Sequence, residues 1–164
     1  MIVVSDSTPL IALMKASQLD LLQKMFGKIL IPHAVFEELT SNLTFQDEAE
    51  AVRTSAFIEV VTIPDKKTVD VLRRATGLDL GESEAIVYAE NSAADILLMD
   101  ERKGRLIASS LGLPVMGSIG VLREAHAAGM IGADELRSAI ETMQDAGIRL
   151  SERLVQSVLD ELNH

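Results

Sequence analysis

Residues 1–13 read MIVVSDSTPLIAL, and this stretch decides the fold class. The apolar run 1–5 is short and ends in a polar cluster, which predicts a buried strand. Ser5, Asp6 and Ser7 are residue types that cap helices, and Pro9 falls in the first turn of the helix they would open. Leu10, Leu13 and Met14 then recur at helical spacing. A strand that passes directly into a helix is the first half of a crossover unit, the connection that parallel strands require.

The same grammar repeats outward along the chain. A helix over 19–26 stops at Gly27, and KILI at 28–31 reads as the second strand, with Pro32 opening a helix that carries Val35, Phe36 and Leu39. A helix over about 47–57 leads to the strand IEVVTI at 58–63, stopped by Pro64. Then come a helix at 65–76, a Gly77–Gly81 loop, a helix at 82–92 and a strand at 94–99. A helix at 101–111, the turn Gly112-Leu113-Pro114, a short strand at 114–116 and a helix from 118 to 128 complete the body. Short apolar strands separated by helices predict an α/β fold with a parallel sheet covered on both faces. Beyond 130 the strands cease, and two amphipathic helices are expected at 133–145 and 151–162, lined by Ala139, Ile140 and Met143 and by Leu154, Val158 and Leu162. The expected division is therefore a body over 1–129 and a helical extension over 130–164, packed on that body or on a second subunit.

The composition narrows the function. Apolar residues make up 48% of the 164, which suffices for one domain with a sizeable core. Cysteine is absent, so thiolate metal sites and disulfides are excluded and a cytoplasmic location is the expectation. The N-terminus lacks a basic region, Asp6 interrupts its apolar run, and no stretch reaches membrane-spanning length. The 25 acidic residues outnumber the 15 basic ones, giving a net charge of -10, which argues against a protein that coats nucleic acid nonspecifically. With one Tyr, four Phe and no Trp, a base-stacking platform is not expected. A Walker A ending and a dinucleotide-binding glycine fingerprint are both missing. His33, His126 and His164 lack ligand spacing and read as structural or surface residues.

Several acids fall where chemistry is done. Asp6 follows the first strand and Asp100 follows ILLM at 96–99, and ligands of open parallel sheets bind at the carboxyl ends of the strands. On the helix after the second strand, Glu38 lies about 60° from the buried Val35 position, whereas Glu37 lies about 160° away, toward water. Glu82 opens a helix whose buried stripe is Ala85, Ile86 and Ala89, and the helix N-terminus favours its charge. Glu84 lies opposite that stripe but within reach of the rim, and Glu101 adjoins Asp100. Each acid also has an ordinary reading, as a helix cap or a solvated surface group. Several carboxylates brought together would repel one another, and some would stay protonated. A hard dication such as Mg²⁺ or Mn²⁺ removes that conflict and suits phosphodiester hydrolysis. Arg102, Lys103 and Arg105 come directly after this acidic pair and could steer a nucleic-acid backbone, or merely solvate their helix. The small-residue turn Gly117-Ser118-Ile119-Gly120 could admit a backbone close to the pocket.

Four stretches resemble the PIN-domain superfamily of metal-dependent ribonucleases, and in particular its bacterial and archaeal branch related to VapC-type toxins. They are VVSDSTPLIAL at 3–13, ILIPHAVFEEL at 29–39, GESEAIVYAENSAADILLMDERKGR at 81–105 and GLPVMGSIGVLREAHAAGMI at 112–131. The resemblance implies a three-layer fold with sheet order 3-2-1-4-5. It also implies an acidic pocket in which Asp6, Glu38, Glu82 and Asp100 hold Mg²⁺ or Mn²⁺ for RNA cleavage. It further implies a homodimer silenced by an antitoxin peptide. The chain departs from the family in three places. Ser7-Thr8 stands where Thr-Ser is usual, keeping both hydroxyls. Leu98 stands where Thr is common, and Glu82 where Asp is common, which leaves Glu84 open as the nearer ligand. A phosphatase of the haloacid-dehalogenase kind would want an Asp where Thr8 stands. A receiver domain would want its Asp directly after the third strand, which runs instead into Ile63-Pro64-Asp65. A catalytically weak module that binds a partner peptide or RNA keeps the same fold and is the alternative.

Overall fold

A computed structural model describes residues 1–41 and 46–163 of the chain; His164 lies outside the described residues. In chain order the elements are β1 (Val3–Ser5), α1 (Ser7–Lys15), α2 (Asp20–Phe26), β2 (Ile29–Pro32), α3 (His33–Ser41), α4 (Gln46–Thr54) and β3 (Ile58–Val61). After these come α5 (Lys66–Thr76), α6 (Leu80–Ser92), β4 (Ile96–Leu98), α7 (Arg102–Ser110), β5 (Val115–Met116), α8 (Ser118–Ala127), α9 (Ala133–Asp145) and α10 (Glu152–Leu162). The strands form one sheet in the order β3-β2-β1-β4-β5, and every pairing is parallel. The architecture is the expected three-layer α/β/α fold. The differences are at boundaries: Pro32 ends β2, paired with Val61, and the helix begins one residue later. α4 stops at Thr54.

Strand alternation sorts the core into two layers. Val3, Ile29, Ile31 and Leu98 point into the larger apolar cluster, with Leu10, Leu13, Leu22 and Leu122 from α1, α2 and α8. Val4, Leu97 and Met99 point the other way, onto Ala85, Ile86 and Ala89 of α6 and Ala108 of α7. α3 touches both α1 and α6, and so joins the two layers beyond the end of β2. α9 and α10 bury Leu136, Ile140, Met143, Val155 and Val158 in the larger cluster. Among the described residues no helix is long and apolar enough to cross a membrane.

The sheet register places the acids. Val3, Val4 and Ser5 pair with Ile96, Leu97 and Leu98. The Asp6 backbone N–H donates to the Leu98 carbonyl at 2.9 Å, and that of Met99 donates to the Met116 carbonyl at 3.0 Å. β1 and β4 therefore end side by side.

Ile140 is 2% exposed within the shared core. Ile140→Ala is expected to lower the unfolding free energy by about 2–5 kcal/mol. Urea denaturation followed by circular dichroism measures this, and an unchanged midpoint would mean that α9 contributes nothing to the core.

Candidate active site

Asp6 closes β1 and occupies the N-cap position of α1, yet its side chain makes no capping hydrogen bond. Its ordinary structural role is thus unfilled, although only 3% of the residue is exposed. Burial is the main cause that pushes its carboxyl from an ordinary 3.8 up to about 7. A hydrogen bond from the Ser7 backbone N–H opposes this, and the charges of Asp79, Glu38 and Asp100 reinforce it. Those last effects place four acids from four parts of the chain within electrostatic reach.

Glu38 is largely exposed, as the helical wheel allows, while Val35 and Leu39 of the same helix are buried. Its carboxyl end nonetheless leans over the first turn of α6. A β-carbon at Gly81 would lie 3.1 Å from Glu38 Oε2 and 3.7 Å from Asp6 Oδ1. Absence of a side chain at 81 therefore lets α6 approach both acids. The Glu38 carboxyl is raised by desolvation and by Asp79, against a hydrogen bond from the Ser7 hydroxyl. Glu37 points outward and faces His33 at 3.7 Å.

Asp79 caps α6, with Oδ1 accepting the Glu82 backbone N–H at 2.8 Å. The two carboxyls also lie against each other. Desolvation first, and then this contact with Asp79, raise Glu82 to about 8; the charges of Asp6 and Glu101 add to it. Glu84, two residues on, turns away: its Oε1 accepts the Ala34 backbone N–H at 3.1 Å, in the first turn of α3. Of the two glutamates, Glu82 is the one in the field of Asp6.

Asp100 is held by one oxygen. Oδ1 accepts the Ser118 backbone N–H at 2.7 Å and the Ser118 hydroxyl at 3.2 Å. Oδ2 is buried without a hydrogen-bond partner among the described residues. Desolvation raises this carboxyl, while the Ser118 donors and the Arg105 guanidinium pull it down. Glu101 is occupied as the cap of α7, accepting from the Gly104 N–H at 2.8 Å. Ser7 is buried between Asp6 and Glu38, and Thr8 is partly buried beside it.

Arg102 and Lys103 are exposed on α7. A β-carbon at Gly77 would meet Lys103 Nζ at 3.1 Å, so this ammonium reaches the turn after Arg73 and Arg74 of α5. Among the described residues neither Arg102 nor Lys103 enters an ion pair. A basic rim therefore borders the acids.

Asp79 and Ser118 were not singled out as site residues from the sequence. The signal for Asp79 was the D-x-x-E spacing of Asp79 and Glu82 at a helix start. Two surface hollows, one along α10 and one between α1 and α4, contain none of these acids.

The donors suit a hard dication in kind. They are carboxylate oxygens, one of them buried and unpartnered, and their mutual repulsion is what a cation would relieve. Among the described residues, no group of three or more His, Asp or Glu stands ready to hold a metal ion. The buried, unpartnered Asp100 Oδ2 is the donor among them that most plainly lacks a partner, and oxygen donors of this kind suit Mg²⁺.

A carboxyl whose value rises on folding favours the folded state while it stays protonated. Its contribution is complete below the unfolded value and is lost as pH climbs through the folded one. For Asp6 that window runs from 3.8 to about 7. The metal-free protein is expected to lose about 1 kcal/mol per pH unit from this group across the window. Asp6→Asn should flatten the slope and raise the urea midpoint at pH 8; parallel pH profiles would refute the placement of Asp6.

The family model DUF3368, described as a PIN domain, matches residues 2–164. No curated protein matches the chain.

Proposed function

Since the chain belongs to the PIN-domain family, we propose that it is a Mg²⁺- or Mn²⁺-dependent ribonuclease that hydrolyses RNA phosphodiester bonds. One observation carries the proposal: carboxylates from α3, α6 and the end of β4 share an electrostatic field with the buried Asp6 just after β1, and Arg105 is a cation set against Asp100. Proteins do not gather buried acids for stability, and such perturbed groups cluster at functional sites.

Asp6 and Asp100 would hold the ion, with Glu38 and Glu82 as further carboxylates. When bound, the ion supplies a Lewis acid for the scissile phosphate and a means of activating the attacking water. Ser7 orients Glu38 through its hydroxyl, and Ser118 orients Asp100. Lys103 and Arg102, with Arg73 across the α5–α6 turn, would take phosphates of the strand. They give a strongly acidic protein a local approach for RNA.

The toxin setting rests on the sequence resemblance: an antitoxin peptide as inhibitor and a homodimer as the working form. The weaker-module reading is favoured by two observations. Leu98 is fully buried and brings no hydroxyl to Asp100, and among the described residues the acids are not drawn into a ready-made cluster. That reading expects RNA or peptide binding without turnover.

Incubating a mixed RNA pool with Mn²⁺, Mg²⁺ or EDTA separates the two. Cleavage is expected with either ion, none with EDTA, and at least about 100-fold less with Asp6→Asn, because each 1.4 kcal/mol of lost transition-state stabilisation costs about tenfold. Activity that survives Asp6→Asn would overturn the assignment. Lys103→Glu is expected to raise KM several-fold with little change in kcat and to flatten the salt dependence of binding. An unchanged KM would remove α7 from the substrate path.

A further inference from the structure

Ser118 lies 18 residues beyond Asp100 and opens α8, with Gly117 at its N-cap, and neither belongs to an element that carries one of the acids. The pair nevertheless determines how Asp100 is held. Both donors that reach this carboxylate come from Ser118, and both go to Oδ1. Ser118 is wholly buried, so its hydroxyl is not exchanged for water. Gly117 supplies the space. A β-carbon there would lie 2.7 Å from Asp100 Oδ1 and 2.5 Å from Arg105 Nη1. Real β-carbons do not approach so closely, and the short Asp100 side chain has little freedom to give way. Only a residue without a side chain lets the carboxylate and the guanidinium both settle against the N-terminus of α8.

The consequence is an asymmetric carboxylate. Oδ1 is saturated by two hydrogen bonds, and Oδ2 is buried with none among the described residues. A buried acceptor left unpaired costs about 1–3 kcal/mol, more when charged, and calls for an explanation in ligand terms. A hard cation is the partner that a bare carboxylate oxygen lacks. Leu98, on the strand leading to Asp100, is packed in the apolar core. The orienting hydroxyl therefore comes from α8 across the sheet edge and not from β4 itself.

We propose that Gly117 and Ser118 are positioning residues for the metal. They fix Asp100 through Oδ1 so that Oδ2 is the atom offered to Mg²⁺ or Mn²⁺. This inference rests on the metal-dependent reading above. It assigns the Gly-Ser turn a role in ion affinity that goes beyond starting α8. Arg105, lying in the same slot, sets a positive charge against Asp100.

The test is calorimetric titration of the full chain with MnCl₂, alongside thermal melting to establish that each variant is folded. Ser118→Ala keeps the backbone donor but removes the hydroxyl, and is expected to weaken Mn²⁺ binding about 10-fold, the low end for loss of a group that orients a ligand. Ser118→Thr restores the hydroxyl and should recover most of that loss, which a purely structural role for the side chain would not predict. Gly117→Ala keeps both donors but displaces Oδ1, and is expected to weaken Mn²⁺ more than Ser118→Ala does. Wild-type Mn²⁺ affinity in folded Ser118→Ala or folded Gly117→Ala overturns the inference. Asp100→Asn tells the two failures apart. If it loses Mn²⁺ while Ser118→Ala and Gly117→Ala do not, only the positioning role falls. If Asp100→Asn itself binds Mn²⁺ as wild type, the metal site falls with it.

Discussion

The pairing of Ser5 with Leu98 sets two neighbouring parallel strands to end together, and the positions just beyond inherit that alignment. Asp6 comes directly after one strand and Asp100 two residues after the other. Because every strand of the sheet runs the same way, the helices that leave β1 and β2 start at this same end. The N-terminus of α6 reaches it too, through Gly81. Side chains remote in sequence are thereby delivered to one rim by backbone hydrogen bonding. No direct attraction between them is needed, and electrostatically they oppose being there.

That opposition has a structural cost, met by the apolar layers. Asp6 and Glu82 reach neutral pH with much of their protons retained, at about 7 and about 8, and burial is the first cause for both. The clusters centred on Leu10, Leu13, Ile29 and Leu122 on one face, and on Ala85, Ile86 and Leu97 on the other, hold the acids in place against their repulsion. Several acids have an ordinary helix role besides. Glu101 caps α7, Glu84 satisfies the start of α3, and Asp79 caps α6. Asp6 and Asp100 Oδ2 have no such role, which is why the chemistry is assigned to them.

The sequence made the sheet legible because its signals are local: MIVVS, KILI and ILLM are short apolar runs, each leading at or just beyond its end into a helix start. The acids after β1 and β4 were legible for the same reason, since position relative to a strand end is read directly. The choice between Glu82 and Glu84 was not. Two residues apart on a helix, they point about 200° apart, and which side meets Asp6 depends on where α3 packs. Asp79 carried a readable capping pattern, but its place in the field of Asp6 is a tertiary fact. Ser118 was visible only as part of a small-residue turn, because its partner lies across β5. The ends of β2 and α4 differed from expectation where proline and a weakly apolar helix left the local signal thin.

The C-terminal helices bear on the same rim from a distance. α9 packs against α1 and α8, and α10 against α8 and α9. α1 begins with Ser7, whose backbone N–H and hydroxyl serve Asp6 and Glu38, and α8 begins with Ser118, which serves Asp100. Hydrogen bonds from a helix N-terminus orient a carboxylate only as well as the helix itself is fixed. Leu136, Ile140 and Met143 lie in one continuous apolar cluster with Leu10, Leu13 and Leu122, which ties the two donor-bearing helices to each other and to the sheet. The described residues beyond 130 contribute none of these acids, yet their burial packs the two helices that begin with Ser7 and Ser118. The amphipathic pattern of that segment, which names no chemistry of its own, is in this way part of what fixes the donors that reach the acids.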